Sequence, residues 1–278
     1  MKRIPIMLLA LFVPFVSQAL VAPNGALTTS DPSGTVGFED LDLDYVVRFN
    51  NSSSVAIAPH WLLTAAHVAD DAGHSSVIVG GTTYNQDGEF YHPTADLALI
   101  RLDAPLPGSY DIYTGGYSAL RPQVAMVGYG GVGTIPSSTN FTISSSGRGT
   151  QRWGTNQIDA LVNYTGGFGN ANQGFQMLFN TSEPDSTNEA GVGIGDSGGA
   201  VFYDDAGAWK LAGIMTDAST GGSLDSILAI DVQQYDSWII SVIPEPAPWL
   251  LLSTALGLVL LVQYVRRPRS PSVKIQSV

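Results

Sequence analysis

The chain has 278 residues, 24 acidic against 12 basic side chains, a net charge of −12 and no cysteine. The missing cysteine excludes disulfides, thiolate catalysis and cysteine-ligated zinc, and the acidic balance opposes nucleic-acid binding, because phosphates call for Lys and Arg. Few charged residues (13 %) and 31 glycines suit an all-β protein with many tight turns.

Residues 1–19 have a basic tip (Lys2, Arg3), an apolar run and then Ser17-Gln18-Ala19. That order is expected of a secretory signal peptide with a small-residue cleavage site. Residues 20–44, rich in Pro, Gly, Ser, Thr and acid, read as an extended leader with little core. Strand-sized apolar runs bounded by turn residues follow: Tyr45-Val46-Val47-Arg48-Phe49, Val55-Ala56-Ile57-Ala58, Trp61-Leu62-Leu63, Val77-Ile78-Val79 and Leu97-Ala98-Leu99-Ile100-Arg101-Leu102. Between the last two, Asn85-Gln86-Asp87-Gly88-Glu89 reads as a hairpin turn, since it lacks the acidic ligand array of a calcium loop. No metal site and no cofactor are expected.

Residues 105–122, with Pro, Gly and Ser, form the natural linker. A second set of runs starts at Val124 and continues at 157–162, 176–179, 200–203, 209–215 and 226–230. Two sets of about six short strands predict two antiparallel β-barrels, near 45–118 and 119–231. Residues 232–243 are the one helical stretch of the body. Val232, Tyr235, Trp238, Ile239 and Val242 share a face, and Pro244 stops it. Beyond Pro244-Glu245-Pro246, residues 249–265 are apolar and uncharged, long enough for the ~17-residue minimum of a transmembrane helix. Arg266, Arg267 and Arg269 follow, which favours a cytoplasmic end, and 270–278 form a short tail.

Three local signals carry chemistry. Gly195-Asp196-Ser197-Gly198-Gly199 offers a serine hydroxyl on a tight turn, with backbone N–H groups able to stabilise an oxyanion. His67, after Thr64-Ala65-Ala66, sits at the predicted end of a strand, where its ring could activate a serine. Asp96 heads an apolar run and could fix the tautomer of a histidine. Singly, each has a plainer reading: a surface turn, a structural histidine, a turn aspartate.

Together, in the order His67, Asp96, Ser197, they resemble the trypsin/chymotrypsin serine protease family, which carries Thr-Ala-Ala-His, Asp-Ile-Ala-Leu-Leu and Gly-Asp-Ser-Gly-Gly in that order. Gly213-Ile214-Met215-Thr216 and the closing helix extend the likeness over roughly residues 45–242. The resemblance implies two six-stranded antiparallel β-barrels with the active site between them and a C-terminal helix. It implies His67 as general base, Asp96 as its orienter, Ser197 as nucleophile and the N–H groups of Gly195 and Ser197 as oxyanion hole. It places Gly191 at the floor of the specificity pocket, Thr216 where the family often has Ser, and Ala218 on the wall. With no acid at Gly191, small or medium apolar side chains are expected before the scissile bond, and Glu189 is expected at the surface.

The family's usual mature N-terminus, Ile-Val-Gly-Gly, has only a faint echo in Thr35-Val36-Gly37-Phe38. Pro244-Glu245-Pro246, the apolar run and the basic end resemble a PEP-CTERM sorting signal. That likeness implies an inner-membrane anchor until an exosortase cuts near it, and then an envelope or extracellular protein. Expected partners are protein or peptide substrates, the exosortase and the membrane, and no nucleic acid. The rival reading is a catalytically silent relative acting as an envelope or matrix binding protein.

Overall fold

The computed structural model describes residues 20–22, 31–71, 75–117, 121–183 and 188–243. The chain divides into two units, 1–237 and 238–278, and every strand belongs to the first. The predicted signal peptide, the Pro244-Glu245-Pro246 motif and the apolar run 249–265 lie outside the described residues. No helix among those described is long and apolar enough to cross a membrane.

The first sheet holds β1 (Val46–Phe49), β2 (Ser52–Ala58), β3 (Trp61–Thr64), β4 (Ser76–Val79), β5 (Thr82–Tyr91) and β6 (Ala98–Leu102). Their order is β1-β2-β3-β6-β5-β4, antiparallel throughout. Alternation drives it: on β6, Ile100 and Leu102 are buried and Arg101 between them is exposed, as a half-buried strand requires. Val47, Phe49, Leu62, Val77, Ile100 and Leu102 meet in its interior. The outer strands β1 and β4 pack together, so this sheet is nearly a closed barrel.

The second sheet holds β7 (Gln123–Gly128), β8 (Arg152–Gln157), β9 (Ala160–Thr165), β10 (Ala171–Leu178), β11 (Ala200–Asp204), β12 (Trp209–Ser219) and β13 (Ser226–Asp231). Its order is β8-β7-β11-β12-β13-β10-β9. Met126, Phe175, Met177, Phe179, Val201 and Ile227 form its core. The two six-stranded barrels expected are thus two antiparallel sheets, of six and seven strands.

The structure corrects several expectations. β5 runs straight through the predicted hairpin turn at 85–89; only Tyr84 of its ten residues is buried, so no apolar alternation announces it. The run 157–162, expected as one strand, breaks at Ile158-Asp159. There Asp159 accepts the Leu178 N–H at 2.7 Å and pairs with Arg121 at 2.6 Å, which turns β8 into β9. The leader is not coreless either. After a 3-10 turn at Pro32–Gly34, Phe38 and Leu41 are buried, and the Phe38 ring lies 5.2 Å from both Trp153 and Trp209. Leu20 and Val21 join the second core. The helix expected over 232–243 is a 3-10 turn, Val232–Tyr235, followed by α2 (Asp236–Val242).

Candidate active site

The ladder between β3 and β6 sets Thr64 opposite Ala98. β3 ends and β6 begins there, so His67 and Asp96, just outside the two strands, leave the sheet at the same end. His67 lies on a single helical turn, α1 (Ala66–Ala69), rather than at a strand end. Asp96 is buried and accepts twice from it: the His67 N–H at 2.9 Å on Oδ1, and Nδ1 at 2.7 Å on Oδ2. The Asp96 N–H donates in turn to Asn172 Oδ1 on β10, at 2.9 Å, which ties this corner to the second sheet. Phe168, from the loop between β9 and β10, stacks on the imidazole with ring centroids 4.2 Å apart and planes at 11°.

Ser197 comes from the turn that leads into β11. Its neighbours fold back on one another: the Asp196 N–H donates to Gly193 O and the Gly199 N–H to Asp196 O. Gly195 and Gly198 take φ of +102° and +80°, where a side chain is strained. A Cβ at Gly198 would also stand 2.1 Å from Ser53 O. Ser53 of β2, wholly buried, docks the turn to the first sheet. Its N–H donates to Ser197 O at 3.1 Å, its hydroxyl donates to Gly195 O at 2.9 Å, and the hydroxyl oxygen accepts the Tyr129 N–H. The N–H groups of Gly195 and Ser197 donate to no other described group. No hydrogen bond joins Ser197 to His67 among the described residues; such contacts often tighten only with substrate.

Asp196, beside the serine, is buried. Oδ1 accepts the Gly130 N–H at 2.7 Å and Oδ2 the Gly193 N–H at 2.8 Å. The Leu20 N–H donates to the same carboxylate, and Arg152 attracts it. Burial nevertheless raises its pKa from 3.8 to about 6.

Ser197 and His67 line one open cleft of about 350 Å³. Ile143, Val192, Ile194, Met215 and Ala218 give it apolar surface, and Asp71, Thr216 and Asp217 polar surface. Thr216 and Ala218 both line this cleft. The Thr216 hydroxyl bonds the Tyr164 phenol at 2.6 Å. Gly191 does not line the cleft: it pairs with Val21 behind Val192, and a Cβ there would run into the Phe141 ring at 2.5 Å. Glu189, expected at the surface, is buried with its carboxylate on the Asn180 N–H, and desolvation raises its pKa to about 7. It too lies away from the cleft. Asp217 holds the Phe168 loop, accepting the Gly167 N–H at 3.2 Å.

Sequence reasoning had not singled out Ser53, Asn172, Phe168 or Leu20. The first two are ordinary polar residues in strands, and Phe168 stands among glycines, in Gly166-Gly167-Phe168-Gly169.

Residues 34–239, more than half the chain, match the family model described as Trypsin. The chain belongs to the trypsin family. It carries that family's serine-type peptidase fold. Among solved structures, this trypsin-family chain is similar to Rv3671c from M. tuberculosis H37Rv, in the inactive form of a serine-to-alanine mutant. The two share 16 % identity and a TM-score of 0.50, over 70 % of this chain and 84 % of that one, a likeness of fold alone. No curated protein sequence matches the chain.

Proposed function

We propose that the chain is an active serine endopeptidase, exported from the cell, with His67, Asp96 and Ser197 as its triad. The observation that carries this reading is the doubly bonded His67–Asp96 pair facing the same cleft as Ser197. Asp96 accepts the Nδ1 proton, which leaves Nε2 as the basic nitrogen. Nε2 takes the Ser197 proton as Oγ attacks the scissile carbonyl, and later returns it to the leaving amine. Asp96 orients the ring and stabilises its cation. The unengaged N–H groups of Gly195 and Ser197 receive the oxyanion, in a turn already held by Ser53, so little reorganisation is needed.

Ile143, Val192, Met215 and Ala218 favour small or medium apolar side chains before the scissile bond. An unpaired Arg or Lys would lose its hydration there, at a cost of several kcal/mol. Asp217, in the cleft wall, is a carboxylate that could reverse that preference; it is half-buried and its pKa is raised, first by burial. The ends of the chain support export. A signal-like segment precedes the domain, and a Pro-Glu-Pro, apolar run and basic end follow it, as for exosortase processing at the inner membrane.

One experiment tests the chemistry. The purified protein and its Ser197→Ala variant are given a fluorophosphonate probe and then a peptide library. Wild type labels and cleaves after Ala, Val or Leu; Ser197→Ala does not label, and turnover falls on the order of 10⁶. Equal cleavage by both would remove the triad. A preference for Arg or Lys that Asp217→Asn abolishes would replace the pocket assignment.

A further inference from the structure

Most basic side chains of the described residues face an acid. Arg101 pairs with Asp87, Arg121 with Asp159 and Glu183, and Lys210 with Asp205, while Arg152 acts on the buried Asp196. Arg48 and Arg148 do not: among the described residues neither forms an ion pair, in a chain with 24 acidic side chains. The two come together at Asn51. Arg48 Nη2 donates to its Oδ1 at 2.6 Å, and Arg148 Nη2 donates to its carbonyl at 2.5 Å, with a longer contact to the Ser52 hydroxyl at 3.4 Å. Asn50 and Asn51 are the two-residue loop that joins β1 to β2, with φ of +47° and +58°, the pattern of a type I′ hairpin. This perch is fixed, because Asn50 is buried and its amide donates to Val68 O at 2.9 Å.

The same corner adjoins the catalytic turn. A Cβ at Gly195 would stand 2.7 Å from Arg148 Nε, so the guanidinium lies against the turn that presents Ser197. Ser52 and Gly195 line the catalytic cleft; Asn51 and Arg48 line a second hollow, of about 310 Å³, with Ile78 and Tyr129. The hollow begins where the cleft ends. Its place relative to the reaction follows from the site. The side chain before the scissile bond faces Met215 and Ala218 on β12, in the second sheet. The chain after that bond then crosses Ser197 and Gly195 the other way, toward the β1–β2 turn of the first sheet. We infer that Arg148 and Arg48 form a carboxylate-binding site on the leaving side of the cleft, taking an acidic side chain or a C-terminal carboxylate in the first few residues after the scissile bond. The inference rests on the protease reading above.

Three features fit. A guanidinium presents its N–H donors in a fork that matches a carboxylate, and among the described residues only Nη2 of each arginine is engaged. Arg148 Nε is buried with no hydrogen-bond partner there, so its charge is held in place without being neutralised. Arg48 is exposed at the mouth of the hollow, and a Cβ at Gly149 would meet its guanidinium at 3.1 Å; glycine lets the group lie close to the chain. Finally, a surface this acidic repels an acidic peptide, and two unpaired guanidiniums reverse the sign where the leaving chain passes. Asp71 also lines the cleft, but it pairs with neither arginine.

The test uses the purified protein and peptides with Ala before the scissile bond. In one series a single Glu moves through the first few positions after that bond, with an amidated end. Gln and Lys replace it in two further series, and a fourth ends in a free carboxylate at each position. kcat/KM is measured for wild type, Arg148→Gln, Arg148→Glu and Arg48→Gln, and ratios are taken within each protein, so the amount of folded enzyme cancels. Wild type should cleave the best carboxylate peptide about 10-fold faster than its Gln partner, the weight of one hydrogen-bonded charge. Arg148→Gln should lose most of that ratio, and Arg148→Glu should turn it toward Lys. Arg48→Gln should lower it about 3-fold, as suits an exposed pair. A gain confined to Glu peptides assigns the site to side chains, and one confined to free ends assigns it to chain termini. Should the Arg148 variants fail to fold, Arg48→Gln and salt decide: between about 0.01 M and about 1 M salt the screening length falls from about 30 Å to about 3 Å, and the wild-type ratio should shrink toward one. Equal rates on all series, a wild-type preference for Lys, or a ratio that neither salt nor Arg48→Gln moves overturns the inference while leaving the protease standing. No cleavage of any peptide, with no fluorophosphonate labelling of Ser197, overturns the protease reading instead.

Discussion

At the scale of single residues, Asp196 sets the electrostatics of the site. Its pKa rises from 3.8 to about 6 through burial. An acid whose pKa is raised on folding binds its proton more tightly in the folded state. Its contribution is full below about pH 4 and is lost as pH climbs through about 6, a cost near 3 kcal/mol at neutrality by 1.36 kcal/mol per unit. Urea unfolding should therefore find wild type losing stability relative to Asp196→Asn as pH climbs from about 4 through about 6. A difference between the two that does not change with pH would show that the Asp196 carboxyl is not perturbed on folding. His67, Asp96 and Ser197 were legible in sequence because the motifs around them are short and local. Ser53 and Asn172 were not, because each acts on a residue far along the chain: Ser53 on Gly195 and Ser197, Asn172 on Asp96.

At the scale of elements, strands with an apolar rhythm were found from sequence and strands without one were missed. β1, β3, β6 and β11 have buried apolar residues that mark them. β5 is largely exposed and is held by its ladders to β4 and β6, a property of its neighbours rather than of its own residues. The leader shows the same effect in reverse. Its composition is that of a loop, yet one aromatic residue, Phe38, fastens it between Trp153 and Trp209. Phe38→Ala should cost about 3–5 kcal/mol, the range for truncating a buried phenylalanine. The urea midpoint would show it, while the labelling rate per folded molecule stays as in wild type. A midpoint shift under about 0.5 kcal/mol, typical of surface positions, would mean that the leader is not part of the fold.

At the scale of the whole molecule, the proposed export makes the two ends of the chain testable. A chain cut at Leu20 and again near Pro244-Glu245-Pro246 should be found outside the inner membrane, and one cut only at Leu20 should stay membrane-bound. Intact masses from membrane and medium fractions distinguish these, and a full-length cytoplasmic species as the sole form would defeat export. The sequence by itself determined the all-β class, the order of His67, Asp96 and Ser197 along the chain and the family, since turn chemistry, alternation and short motifs act between near neighbours. It also marked the export-like ends, which proteins read as linear signals. Only the tertiary structure decided that Gly191 sits behind the cleft rather than in it, that Phe168 covers His67, and that Leu20 reaches Asp196. Each of those joins segments far apart in the chain, and it is the register of the sheets and the packing of the core, not the identity of adjacent residues, that brings them together.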